Sequence, residues 1–291
     1  MSTIVAPPPR DQDATLRPLL RHALAAGELH LPVLPQVTSR VMTLTQDPNA
    51  DLAELSHLIH QDQSLAGNVL RIANSAAYRA GEPIVSLRQA VMQMGLATLS
   101  EVALAACLQS TAQSAPGYER LHRQMFAEAF VAAGFAKEIA RCRRSSVEVA
   151  FLCGLLHRIG RPVALGAIAR LAGDADRRPD ADTARALAEE FEGDYAAAVT
   201  VAWKLPPEVR TAAQHHAAPD QAPEFVPETK LAALAGHLAR CFLQPDPAAR
   251  EELPALPVWA EFNLYPDAVA AVLERGQTLV SSVPAFAGRQ P

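Results

Sequence analysis

Three histidines stand where a histidine could do chemistry, and their neighbours decide what kind. His157 closes the apolar run "FLCGLLH" and is followed at once by Arg158. A His-Asp dipeptide there would offer an imidazole and a carboxylate to a divalent ion. The His-Arg pair instead sets a fixed positive charge where that ion would sit. His215 and His216 end the segment "KLPPEVRTAAQHH". Adjacent residues on a helix point about 100° apart, so these two rarely serve one ion together. A hydrolytic metal site needs about three protein ligands and an open water position. The helix dipole also favours a partly protonated imidazole at a C-terminus, so capping explains the pair as well as recognition does.

Other chemistries find less support. Cys107, Cys142, Cys153 and Cys241 have no CxxC spacing and read as buried thiols of a reducing compartment. No G-x-S-x-G elbow, P-loop or G-x-G-x-x-G is present. The basic run Lys137 to Arg144 falls at a helix end, where it complements the dipole. A formal net charge of -5 argues against a broad grip on nucleic acid or on an anionic membrane. The start "MSTIVAPPPRDQD" has no apolar core of a secretory signal, and no run is read as long enough to span a bilayer. The expectation is a cytoplasmic protein with neither a membrane nor a nucleic-acid partner.

Helices must position these residues. Hydrophobic residues make up 49% of the 291 and aromatics only 5%, an alanine-rich balance that favours packed helices over strands. In "DLAELSHLIH", Leu52, Leu55, Leu58 and Ile59 form one apolar stripe behind an Asp51–Glu54 capping box. "SLAGNVLRIAN" repeats the pattern with Leu65, Val69, Ile72 and Ala73 after Ser64 as N-cap. Ser86 and Gln89 box the next helix and Gly95 ends it. An alanine-rich helix, 97–109, closes the first half. The turn-like "STAQSAPG", Ser110 to Gly117, marks a lobe boundary. A long helix follows from Tyr118 to Arg141, then one opened by Ser145 and Glu148 that is apolar nearly all round and hence buried. Asp182 to Glu192 is helical and ended by Gly193, Asp194 caps the next helix as far as Trp203, and Pro207 starts another. A last helix spans Pro266 to Gly276. The fold class is all-α. The divisions are an N-terminal arm over 1–12, a helical lobe over 13–109, a second helical lobe over 118–276 and a tail over 277–291.

The run "LPVLPQVTSRVMTLTQDPNADLAELSHLIHQDQSLAGNVLRIANSAAY", with "IVSLRQAVMQMG", "FLCGLLHRIG" and "WKLPPEVRTAAQHHAAP", closely resembles HDOD domains, the HD-related output domains of bacterial signalling proteins. The resemblance covers Leu31 to Pro219 and implies an N-terminal helical lobe packed on an HD-like lobe. HD phosphohydrolases, which these domains resemble, hold one or two metals through an early His, a His-Asp pair, further His residues and a late Asp. Matched residue by residue, the pair falls on His157 and Arg158, so its Asp is lost. The early His belongs in "QMFAEAFVAAG", which has none. Tyr195 stands at another expected His, and the late Asp falls near Gly236. His157, Arg158, Tyr195, His215 and His216 are thus vestigial site positions. The HD-GYP group finds no support, because "AAPDQAPEF" follows the His pair.

The resemblance therefore implies a non-enzymatic regulatory scaffold of signal transduction with no metal or other cofactor, meeting a signalling protein as partner. Arg158 and Arg161 could bridge to a carboxylate such as Asp194 where a metal once stood. Asn74, Ser75 and Tyr78 of "ANSAAY" form a structural or partner-facing corner, with the short polar side chains of Asn74 and Ser75 satisfying a helix end. Two alternatives stand beside this reading. One is a phosphohydrolase with a rearranged set of His157, His215, His216 and His237. The other is a sensor in which the emptied pocket and Arg158 take a nucleotide, phosphate or other small anion.

Overall fold

The computed structural model describes residues 12–27, 36–47, 49, 51–60, 63–79, 81–110, 115–173, 178–244 and 246–287. The expected arm, the "LPVLP" run and the Ser64 side chain fall outside the described portion. The first half holds α1 (Gln12–Ala26), α2 (Gln36–Gln46), α3 (Leu52–His60), α4 (Gln63–Ala73), α5 (Leu87–Met94) and α6 (Leu96–Ser110). Then come α7 (Glu119–Arg143), α8 (Val147–Leu156), α9 (Gly160–Ala172), α10 (Ala181–Glu190), α11 (Glu192–Ala202) and α12 (Pro207–His215). The chain ends with α13 (Val226–Leu243), the short α14 (Pro247–Glu251) and α15 (Val258–Glu261), and α16 (Pro266–Ala287). No strand occurs among the described residues, so the fold is all-α.

Local signals explain many of these bounds. Ser86 Oγ accepts from the Gln89 N–H while the Gln89 side chain accepts from the Val85 N–H, and Gly95 ends α5 at a φ of 82°. Asp51 caps α3 through the Ala53 N–H, but Glu54 turns to Arg40 instead of completing the box. Leu65, Val69, Ile72 and Ala73 are all buried, as their stripe predicts. The cap of α8 is Ser146, one residue later than expected; its Oγ accepts from the Val149 N–H.

Three boundaries move further, the first because an earlier residue caps the helix and the other two because packing outweighs a local signal. Asp180, not Asp182, opens α10, accepting from the Asp182 and Thr183 N–H groups. The break after it lies at buried Phe191, so Gly193 and Asp194 sit inside the first turn of α11 and neither ends nor caps a helix. The final helix runs through Gly276 to Ala287, so most of the expected tail is helical. Gly276 faces the Phe242 ring so closely that a Cβ would come within 2.1 Å of it. That close approach keeps the glycine within the helix.

Two compositional expectations also change. Val147–Ala172 is long and apolar enough to cross a membrane by length and composition, contrary to the sequence reading. It is 78% buried in the fold and broken between α8 and α9, as the core of a helical domain requires. Cys142 is exposed, unlike the other three cysteines.

One apolar core runs from Leu16 in α1 to Ala232 in α13, and a second lies among α7, α13 and α16. The spine is α7, which packs most extensively against α8, α13 and α16. The ends of the chain reach across the fold. Helix α1 packs on α9 and α10, with Arg17 and Arg21 on Glu190, and α16 packs on α4.

Candidate functional site

His157 caps the C-terminus of α8 at the turn into α9, with Arg158 in the turn itself. The imidazole is 1% exposed. Its Nδ1 lies 2.8 Å from the Gly154 carbonyl, which can only accept, so Nδ1 carries the proton. Nε2 has no hydrogen-bond partner among the described residues. It faces the backbone of Gly236, where a Cβ would stand 2.4 Å away. The position matched to the family's late Asp is therefore in direct contact with this histidine, and its side chain is absent. Burial, then the neighbouring His216 and Arg158 charges, push the His157 pKa well below its ordinary value, so the ring is neutral. The His216 ring meets it edge-on with centroids 5.2 Å apart.

Arg158 does not stand free. Its Nη1 donates to Glu128 on α7 at 2.8 Å and its Nε to Glu192 on α11 at 3.2 Å. Arg161 donates through Nε to the other oxygen of Glu192 at 2.8 Å and pairs with Glu189 on α10 at 3.1 Å. His216 Nε2 lies 3.4 Å from Glu192, and Arg240 on α13 lies 3.5 Å from Glu128. Five helices, the α8–α9 turn and the C-terminal end of α12 meet in this cluster. Burial alone would raise the Glu192 pKa, but the His216 hydrogen bond and the Arg158 and Arg161 charges outweigh it and hold the carboxyl down at about 2.

Gly160 makes the arrangement attainable. A Cβ there would stand 2.0 Å from the Glu192 carbonyl oxygen, so the start of α9 lies directly on the first turn of α11.

The structure thus gathers His157, Arg158 and His216 and leaves other expected members aside. The carboxylate that meets Arg158 and Arg161 is Glu192, not Asp194. Tyr195 is buried in the first apolar core with its hydroxyl unpaired among the described residues. Burial raises its pKa, with Arg170 and Asp194 as its charged neighbours. His237 is 3.8 Å from Cys241 and lines a separate groove with Asp220, Lys230 and Glu261. Glu128 and Glu192 escaped the sequence reading, although both lie in segments searched for other residues. The usable signal was a carboxylate in "QMFAEAF" where an unpaired Arg158 called for one.

Donor by donor, these residues do not fit the HD type of metal centre. No group of three His, Cys, Asp or Glu side chains among the described residues is arranged to hold an ion. The carboxylates at hand, Glu128 and Glu192, are engaged by guanidinium groups.

The "ANSAAY" corner serves the fold. Asn74 donates to the Leu70 and Ile84 carbonyls and accepts from the Ile84 N–H, which pins the loop after α4. Ser75 is buried, the Ala77 N–H donates to Ser282 Oγ of α16, and Tyr78 lies 6.3 Å from Phe130.

Comparison with known proteins bears on the family and the fold. The chain matches the HDOD domain family over residues 31–219, well over half its length. It belongs to the HDOD family. This HDOD protein is 26% identical over 223 residues to an uncharacterised protein of Treponema pallidum (strain Nichols), covering 72% of this chain and 42% of that one. It therefore spans about two fifths of that relative's length. An HDOD domain protein of unknown function from Geobacter sulfurreducens shares the fold with a TM-score of 0.69 at 22% identity, covering 94% of this chain and 98% of that one. A provisionally named metal-dependent phosphohydrolase from Shewanella amazonensis SB2B gives 0.69 at 20%, covering 94% and 100%. A provisionally named signal transduction protein from Marinobacter aquaeolei VT8 gives 0.61 at 22%, covering 96% and 67%. At these identities the solved structures speak for the fold alone.

Proposed function

We propose that this HDOD protein is a non-catalytic regulator of signal transduction that acts through protein contacts, on an HD-type scaffold whose metal centre has given way to an ion-pair cluster. The observation that carries this reading is Arg158. It stands at the family's metal-ligating Asp and joins Glu128 to Glu192, so a guanidinium supplies the positive charge an ion would otherwise bring. The fold's packing features are kept while ligating positions are replaced at Arg158, Tyr195 and Gly236. A regulator of this kind needs a stable surface rather than a reaction centre.

The two alternatives are weaker on the same geometry. A set of His157, His215, His216 and His237 requires His237 to leave its contact with Cys241. An anion at Arg158 would compete with two carboxylates already paired to it.

The test is metal retention. The purified chain, incubated with manganese, iron or zinc and desalted, should hold far less than one equivalent and turn over no phosphodiester. About one equivalent of metal, lost in His157→Ala, would overturn the reading. Capture from the native host should then return a signalling protein, with yield unchanged in His157→Gln.

A further inference from the structure

We infer that the buried Glu101–Lys137 ion pair is a conformational lock, which holds α6 in one packing against α7 and so sets how the first half of the chain sits on the second. Glu101 is 1% exposed and Lys137 6%. Lys137 Nζ donates to Glu101 Oε2 and stands 5.9 Å from the centroid of the Phe151 ring on α8. The pair thus ties α6 to both α7 and α8. It lies apart from the Arg158 cluster, whose α7 member is Glu128.

The composition of α6 shows why a lock is needed. Every residue from Leu99 to Leu108 is buried, so no solvent-facing side fixes the rotation of the helix. Ala103, Ala105 and Ala106 give it shallow ridges, which grip neighbouring grooves weakly. Ser100 turns its hydroxyl to the Leu96 carbonyl of its own helix. Glu101 is the one charge in "LATLSEVALAACLQS", so among charged groups it alone tells one rotation of α6 from another. A turn by one residue, about 100°, takes Glu101 away from Lys137 and leaves each charge buried without the other. The helices that pack most extensively on α6 are α2 and α4, and they follow its rotation.

Stability does not account for the pair. Burial raises the Glu101 pKa even against the Lys137 charge, with Glu148 and Arg141 acting more weakly, so the pair is held at a desolvation cost. Hydrophobic residues of similar volume often replace a buried ion pair with no loss or with a gain. Purely apolar cores, however, lose uniqueness before they lose stability. What the pair adds is a penalty on every packing but one.

This inference goes beyond the scaffold reading and stands without it, since the rotation of α6 neither needs nor excludes a metal. The full chain is labelled with ¹³C at alanine methyl groups, and Ala103, Ala105, Ala106 and Ala184 are assigned by single Ala→Ser substitutions. Each should give one sharp resonance in the wild type. Glu101→Leu with Lys137→Met should melt no lower than wild type, yet the three α6 methyls should split or broaden through exchange. Ala184, buried in α10, should stay single and sharp. One sharp resonance for every α6 methyl in the double variant, or splitting that also reaches Ala184, would overturn the inference. If this variant melts below wild type or does not fold, Glu101→Met with Lys137→Met takes its place, because flexible thioether side chains adapt to the space. A second such failure would show that the pair serves stability and would sink the inference as well. Metal retention is a separate measurement, so failure here and failure of the scaffold reading are told apart.

Discussion

Glu192 governs the cluster because it is the acceptor for three cationic or potentially cationic groups at once. Its carboxyl pKa falls from an ordinary value near 4.5 to about 2 in the folded chain. A depressed folded pKa means that the stabilisation is present above the unfolded value and is lost as pH falls through the folded one. The linkage is worth about 3 kcal/mol at neutral pH and fades between pH 4.5 and 2. Urea unfolding of Glu192→Gln should show a flatter stability profile across that window. At pH 7 the variant should lose about 3 kcal/mol, because Arg158 then keeps only Glu128 and Arg161 only Glu189. Arg158→Asp restores the family's dipeptide but sets a third carboxylate between Glu128 and Glu192. The expected outcome is a chain less stable by a similar amount that still turns over no phosphodiester, checked by the same unfolding series and a steady-state assay.

Among the elements, the α9–α11 crossing is the one that the site depends on most. Gly160→Ala drives a methyl group against the Glu192 carbonyl and must push the two helices apart. Overpacking of this kind costs typically about 1–3 kcal/mol. Because the displaced turn carries Glu192, the substitution should also raise the pH at which acid stability is lost, which a cavity elsewhere would not do. The Asn74 staple gives a second check. Asn74→Ala removes three hydrogen bonds and leaves the Ile84 amide and carbonyl without this partner. A loss of about 1–3 kcal/mol is expected, with faster amide exchange confined to 75–84.

For the molecule as a whole, the chain ends act as clasps. Leu279 of α16 lies on α7 at Gly134, and Ser282 accepts from the Ala77 N–H of the first half. Removing 277–291 strips a buried leucine and that bond from the second core. Melting followed by circular dichroism should fall by about 5–10 °C, the shift expected for about 3 kcal/mol in a chain of this size. If 277–291 were a solvated tail, the midpoint would not move.

The sequence by itself determined the helical class and the family, since periodicity, caps and residue identity are local properties. Ser86 with Gln89, the stripe of Leu65, Val69 and Ile72, and the replacement at Arg158 could all be read along the chain. Tertiary structure alone decided what Arg158 meets. Glu128 and Glu192 lie 30 and 34 residues away and are brought in by the α7 and α11 packings, the latter passing over Gly160. The same holds for the helix bounds at Phe191 and Gly276, where buried contacts overrode glycine and aspartate signals. The Phe242 contact at Gly276 and the burial of Phe191 beside Gly193 belong to the whole fold and cannot be read from glycine positions along the chain.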